Sequence, residues 1–462
     1  MKRAVCALLR RPATGAVAGQ VTQAAAGLVL QVAAARSLGA AGLATFALVY
    51  GAVVLVTAVA SGMVGDSLTV LDRTDPRIRA ALHVWAVLVS GGAGLLGALL
   101  GALTGVVTPL AAVLLGCAVT AFVLEDTLRR LLMAAGRYWS LPAVDGSSLL
   151  LSLLTLVACA SAGPLTLPAF LVALLVGQTG AALVAWWLAP AGERPTGPWR
   201  GPDLRAVLSF GIWRAASQTV RPALLTCLRL LVVGAAGAAV YGPLEAARVY
   251  TAPTLVVVAG LGSYLLPHYV ANRDRPAAES ISAADRAALG LAGAVAAITV
   301  AGVVLLPVLG PLLTGGDYPV PLVAVAGWGA YAVAGAFLLP YSGVATVHRR
   351  QRRVLGLRLL ELAALLLVWA LTSLMDSGEQ WAPFALAVGP VLAAVAVRQA
   401  VLRPLARGEA GTAADDPALL PPAAAPRSGS VPPGPLVLGG HRRPVPRRAE
   451  LALGGGAARL GQ

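Results

Sequence analysis

Four long stretches of this chain carry nothing that is charged at neutral pH: between Arg79 and Glu125, Asp145 and Glu193, Arg286 and Asp317, and Asp317 and Arg349. Each has room for one or two apolar helices of about 20 residues, the length that crosses the hydrocarbon core of a bilayer. Such runs predict a polytopic membrane protein. Composition agrees, because only 12% of the 462 residues are charged, against about a quarter in soluble domains. Mean hydropathy is +0.79.

The apolar runs predict an all-α membrane protein of about twelve transmembrane helices, over residues 14–35, 43–64, 81–103, 106–124, 143–162, 167–188, 206–228, 249–270, 287–309, 320–344, 354–374 and 381–401. The basic start, Met1 to Arg11, imitates a secretory signal. The apolar stretch behind it is long, carries Gln20, Gln23 and Gln31, and precedes many more, so it reads as a retained first helix. Alternate connections are rich in Arg, from Lys2, Arg3, Arg10 and Arg11 through Arg73, Arg77 and Arg79 to Arg349, Arg350, Arg352 and Arg353. This is the positive-inside pattern, and it predicts a plasma (inner) membrane protein with both termini cytoplasmic. The net charge of +15 is therefore assigned to orientation. Basic residues scattered between apolar runs do not make a nucleic-acid surface.

A polar linker at residues 190–205 separates a six-helix lobe at 1–189 from a second at 206–403. Gly39-Ala40-Ala41-Gly42 recurs as Gly234-Ala235-Ala236-Gly237, with Gln23 falling on Gln218. Six crossings return the chain to its starting side, so a duplicated unit gives a parallel pseudo-repeat with its substrate path between the lobes. Residues 404–462 turn to Pro, Ala, Gly and Arg, a composition expected to form a disordered cytoplasmic tail. Its His441 to Arg448 cluster suits either anionic headgroups or plain solvent. Cys6, Cys117, Cys159 and Cys227 lack metal-ligand spacing and are expected to be small packing residues. His83 and His268 have no second ligand nearby in sequence, and neither metal nor cofactor is expected.

Three segments resemble the multidrug/oligosaccharidyl-lipid/polysaccharide (MOP) flippase superfamily, in particular its polysaccharide-exporting branch. The first, Ala35-Arg36-Ser37-Leu38-Gly39-Ala40-Ala41-Gly42, is similar to that branch's Arg-x-Leu-Gly turn between helices one and two. The second is Leu131-Leu132-Met133-Ala134-Ala135-Gly136-Arg137-Tyr138 after helix four. The third runs from Leu312-Leu313-Thr314-Gly315-Gly316-Asp317-Tyr318 to His348-Arg349-Arg350. The resemblance implies a MATE-like architecture and a flippase, not an enzyme. Its substrate would be a polyprenyl-diphosphate-linked oligosaccharide, moved by alternating access, with membrane lipids and glycan-assembly enzymes as partners. The family often has an acidic residue near the end of helix seven, where this chain has Arg221, Cys227 and Arg229.

Candidate site residues follow from charge inside apolar helices, which is costly unless it faces a cavity or a partner. Arg214, Arg221 and Arg229 lie on one face of helix seven and climb about 22 Å, a ladder suited to a diphosphate. Each also has a structural reading, with Arg229 snorkelling outward and Arg221 paired with Glu245. Pro222 removes the helical partner of the Gln218 carbonyl and predicts a kink. Gln20, Gln23 and Gln31 are expected to line a hydrated path or to join helices. Arg36 matches the outer-mouth cation that the resemblance implies, or serves as an interfacial anchor. Asp145 and Glu361 are the candidate coupling carboxylates, whereas Glu125 and Asp126 beside Arg129 and Arg130 read first as an ion-pair cluster. Three other functions fit the same architecture: a MATE-type drug or metabolite antiporter, a glycan polymerase or glycosyltransferase, and a scaffold.

Overall fold

The computed structural model describes residues 12–105, 107–194, 201–272, 275–348, 350–375 and 377–407. The basic N-terminal cluster, Arg200, Arg349 and the tail with its His441 to Arg448 cluster lie outside the described residues.

Among the described residues, twelve long helices follow one another: α1 (Pro12–Ser37), α2 (Gly39–Val70), α3 (Pro76–Thr104), α4 (Pro109–Ala134), α5 (Leu141–Ala162), α6 (Leu167–Leu188), α7 (Leu204–Ala236), α8 (Ala238–Ala271), α9 (Ala277–Thr314), α10 (Leu322–Val347), α11 (Arg352–Leu374) and α12 (Gly378–Ala406). Eleven are long and apolar enough to cross a membrane, and α8, of 34 residues, is longer than most of them. Local chemistry sets several ends. Asp75, Thr108 and Asp203 each accept a hydrogen bond from a backbone N–H of the first turn that follows, and Pro76 and Pro109 occupy first helical positions. Gly105 and Gly315 close α3 and α9 in the left-handed conformation, with φ of 65° and 71°.

The expected spans and the observed helices agree in number and order but not in their ends. α4 continues ten residues beyond 124 and α8 begins eleven residues before 249, so Glu125, Asp126, Arg129, Arg130, Glu245 and Arg248 lie inside helices. Hydropathy alone stops a span at its first charge. Here most of these charges meet an opposite charge on the same or a neighbouring helix, so the helices run on. α7 continues unbroken through Pro222.

Two features of α2 position the site. Its α-helical part, Gly39–Ala60, passes into a π-helical turn at Ser61–Gly65 before a last α-helical turn, Asp66–Val70. Gly62 in this turn lies against the α7 backbone at Arg214 and Ala215, and Gly65 lies against the Arg130 stem. At the other end of α2, Gly242 of α8 abuts the Ala40 backbone. Close helix approach through small residues is a usual membrane device, because lipid offers no hydrophobic drive for association. The Tyr318 hydroxyl also donates to the Ala35 carbonyl at 3.0 Å, tying the α9–α10 connection to the end of α1. The first and second halves of the chain are thus in contact where α1 turns into α2.

The cysteines correct the expectation of packing residues. Cys117 and Cys227 are exposed, and Cys159 is half-buried, all with free thiols, while Cys6 lies outside the described residues.

Candidate functional site

A cavity of about 650 Å³ lies among α1, α2, α4, α5, α6, α7 and α11. Its α1 wall carries Gln20, Gln23 and Gln31, and its α7 wall carries Ser217, Gln218, Arg221 and Pro222. Between them α4 presents Glu125, Asp126 and Arg130, and α5 presents Asp145, Ser148 and Ser152. Gln178 of α6 donates to the Ser148 hydroxyl at 3.0 Å while its own Oε1 is buried without a partner. The lining is polar and apolar in about equal parts.

Most of the charges here are already paired. Asp145 accepts from Arg129 Nε at 3.1 Å, both side chains being almost wholly buried. Asp126 accepts from the Ser61 hydroxyl at 2.5 Å and from Arg130 Nε at 2.9 Å. Asp66, just past the π turn, accepts from Arg214 at 2.8 Å and from Arg130 at 3.5 Å, and so links α2, α4 and α7. Arg358 donates to Glu361 at 2.8 Å. Glu125 is different. It is 4% exposed and lines the cavity, yet it takes part in no hydrogen bond or ion pair among the described residues.

A second polar cluster lies between α7 and α8. Glu245, 1% exposed, accepts from Arg229 at 3.4 Å, from the Tyr241 hydroxyl at 2.8 Å and from Arg248 at 2.7 Å. Arg248 also donates to the Gln31 side-chain oxygen on α1, and the Arg229 guanidinium occupies the space that a side chain at Gly51 would fill.

The structure therefore sorts the expected site residues. Gln20, Gln23, Gln31, Gln218, Arg221 and Asp145 are brought together around one cavity. Arg214 is bound to Asp66, and Arg36 sits exposed at the end of α1. Arg229 does not snorkel outward, since it is 5% exposed and held by Glu245. Arg221 does not pair with Glu245. Its guanidinium lies 5.5 Å from the centroid of the Tyr331 ring. Glu361 backs Arg358 rather than facing the cavity. Among the described residues, no group of three His, Cys, Asp or Glu side chains is arranged to hold a metal ion. Glu125 is what sequence reasoning passed over, because a Glu-Asp pair followed by two arginines reads as a self-neutralising cluster.

No family model and no curated protein matches the sequence. Solved structures do match. An inward-facing multidrug resistance MATE family transporter of the MOP superfamily aligns with a TM-score of 0.60 at 16% identity, over 85% of this chain and 96% of that one. An outward-facing structure described in the same words gives 0.58 at 17% identity, over 87% and 98%. A MOP superfamily transporter from Pyrococcus furiosus, described as having a binding pocket of reverse polarity that suggests a different function, gives 0.57 at 14% identity, over 86% and 98%.

These matches correct the expectation of a flippase for lipid-linked oligosaccharide, and with it the lipid-linked glycan as substrate and glycan-assembly enzymes as partners. The structures that share the fold include multidrug resistance MATE family transporters. The arginine ladder gives the physical reason. Two of its three rungs are spent on Asp66 and Glu245, which leaves no continuous phosphate clamp. The chain is an all-α, multi-pass membrane protein with a MATE-like fold.

Proposed function

We propose that this protein is a MATE-type antiporter, which exports a drug-sized molecule or metabolite across the plasma membrane by alternating access in exchange for a cation. The observation that carries the reading is the cavity: its size falls within the 300–1,000 Å³ typical of small-molecule sites, and Glu125 on its wall is a buried carboxylate with no partner. A buried carboxylate that already holds an ion pair gains little by taking up another cation. One without a partner is free to exchange a proton or a sodium ion for a cationic group of the substrate, and that competition couples the two fluxes. Asp145 and Glu361 are the weaker coupling candidates, since Arg129 and Arg358 occupy them.

Residues 1–189 and 206–403 are the proposed rocking lobes, and the alternating arginines support a cytoplasmic position for both termini. In a cysteine-free background, an impermeant thiol reagent added outside intact cells is expected to label a cysteine at position 317 and not one at 137. The reverse pattern would invert the orientation.

Coupling is tested in proteoliposomes containing a pH-sensitive dye. The expected result is proton movement on addition of small cationic or zwitterionic compounds by the wild type, and none by Glu125→Gln at equal protein level and unchanged melting temperature. Full gradient-driven exchange by Glu125→Gln would sink the assignment of this carboxylate.

A further inference from the structure

Six carboxylate and guanidinium side chains line the cavity: Glu125, Asp126, Arg130, Asp145, Arg221 and Arg358. Asp126 pairs with Arg130, Asp145 with Arg129 and Arg358 with Glu361. Two are left over, of opposite sign and on different walls: Glu125 on α4 and Arg221 on α7.

Arg221 lies about 25 Å along α7 from its first residue, near the middle of a helix about 50 Å long, where a cation is hardest to solvate. The Tyr331 ring lies against its guanidinium. Such a contact, with the Tyr331 hydroxyl also in hydrogen-bonding reach of the guanidinium, orients the group and leaves most of the five N–H bonds along its edge unused. That edge is a ready-made fork for two oxygens of a carboxylate, phosphate or sulfonate. One residue on, Pro222 has no amide hydrogen to give the Gln218 carbonyl, so an acceptor stands beside the fork in the same cavity wall. The neutral amides Gln20 and Gln23 line the same cavity from α1.

From this arrangement we propose that the cavity selects a small zwitterion, with Arg221 anchoring its anionic group and Glu125 meeting its ammonium. A plain organic cation satisfies Glu125 but leaves the Arg221 fork dry, and a plain anion does the opposite. Only a ligand that carries both charges meets both walls and enters without changing the net charge of the cavity. The proposal rests on the antiporter reading for the identity of the site, and adds the chemical class of what fills it.

The test uses the purified full chain and three dansyl probes of one alkyl length, ending in an ammonium, a carboxylate or an α-amino acid, titrated by fluorescence. The amino-acid probe is expected to bind the wild type most tightly. Loss of one charge-assisted pair should weaken it roughly ten- to a hundredfold in Arg221→Ala, with partial recovery in Arg221→Lys and no change for the ammonium probe. Equal affinity of the three probes for the wild type, or failure of the amino-acid probe to bind, overturns the proposal without recourse to any variant. Retained preference for the amino-acid probe in a folded Arg221→Ala also overturns it. A direct Glu125–Arg221 pair in another conformation would instead show as tighter ammonium binding in Arg221→Ala, and would likewise exclude it. Proteoliposomes separate the two readings. Selective binding of the amino-acid probe without gradient-driven movement would sink antiport alone, whereas gradient-driven export of the ammonium probe independent of Arg221 would sink only the zwitterion.

Discussion

Two of the charged clusters within the described helices are built differently. In the α7–α8 cluster Glu245 is met by Arg229, Tyr241 and Arg248, and it lies outside the cavity wall. Each cluster leaves one guanidinium nitrogen without a partner, on Arg229 and on Arg129, but in the α4–α5 cluster a carboxylate is left over as well: Asp126 and Asp145 are held, and Glu125 has no hydrogen-bond or ion-pair partner among the described residues. The first cluster has the form of a joint and the second that of a site. Residue types are nearly the same in both, so what separates them is the count of partners per charge.

The strongest way to break this contrast is to remove the centre of the joint. Glu245→Gln leaves two guanidinium groups without a counter-ion in the bundle, and is expected to cost about 3–5 kcal/mol. Thermal unfolding of the detergent-purified variant would show it as a large fall in melting temperature, and a wild-type value would mean that the cluster is not structural. Gly62→Leu comes next. Its side chain would meet the α7 backbone, and overpacking of this kind costs about 1–3 kcal/mol; unchanged melting would show that α2 and α7 are not in firm contact there. Glu125→Gln is expected to be the smallest, under about 1 kcal/mol, because no bond is lost. It is the variant for which stability and transport should diverge most, and a large fall in melting temperature would move Glu125 into the class of Glu245.

The helices were legible because long charge-free runs admit no other element, and their number and order follow from those runs. Their ends were not, because a charge was read as a boundary. Arg129 and Asp145 meet only once α4 and α5 pack together, and no local pattern announces it. Helix seven shows the same division. The spacing that puts Arg214, Arg221 and Arg229 on one face is local and visible, while their partners Asp66, Tyr331 and Glu245 come from three other helices. Gln31 was visible as a polar residue in α1, but its bond to Arg248 spans 217 positions of sequence. The repeated Gly-Ala-Ala-Gly segments were visible too. Their left-handed glycines, Gly39 and Gly237, occupy opposite ends of the motif, so the two corners are not equivalent in register.

The π turn of α2 makes the molecule sensitive to helix winding at one place. Such a turn holds one residue more than the α-helix on either side needs, and each residue of an α-helix turns its successors by about 100°. Asp66 follows directly after the extra residue, so its reach to both Arg130 and Arg214 is a matter of angular phase. A single-residue deletion between Ser61 and Gly65 would let α2 run straight with Asp66 nearly in place, whereas a turn that kept all five residues but wound as α-helix would swing Asp66 by about a quarter of a circle. The α4 and α7 arginines would then have lost their common carboxylate without any change to the residues that form the bond.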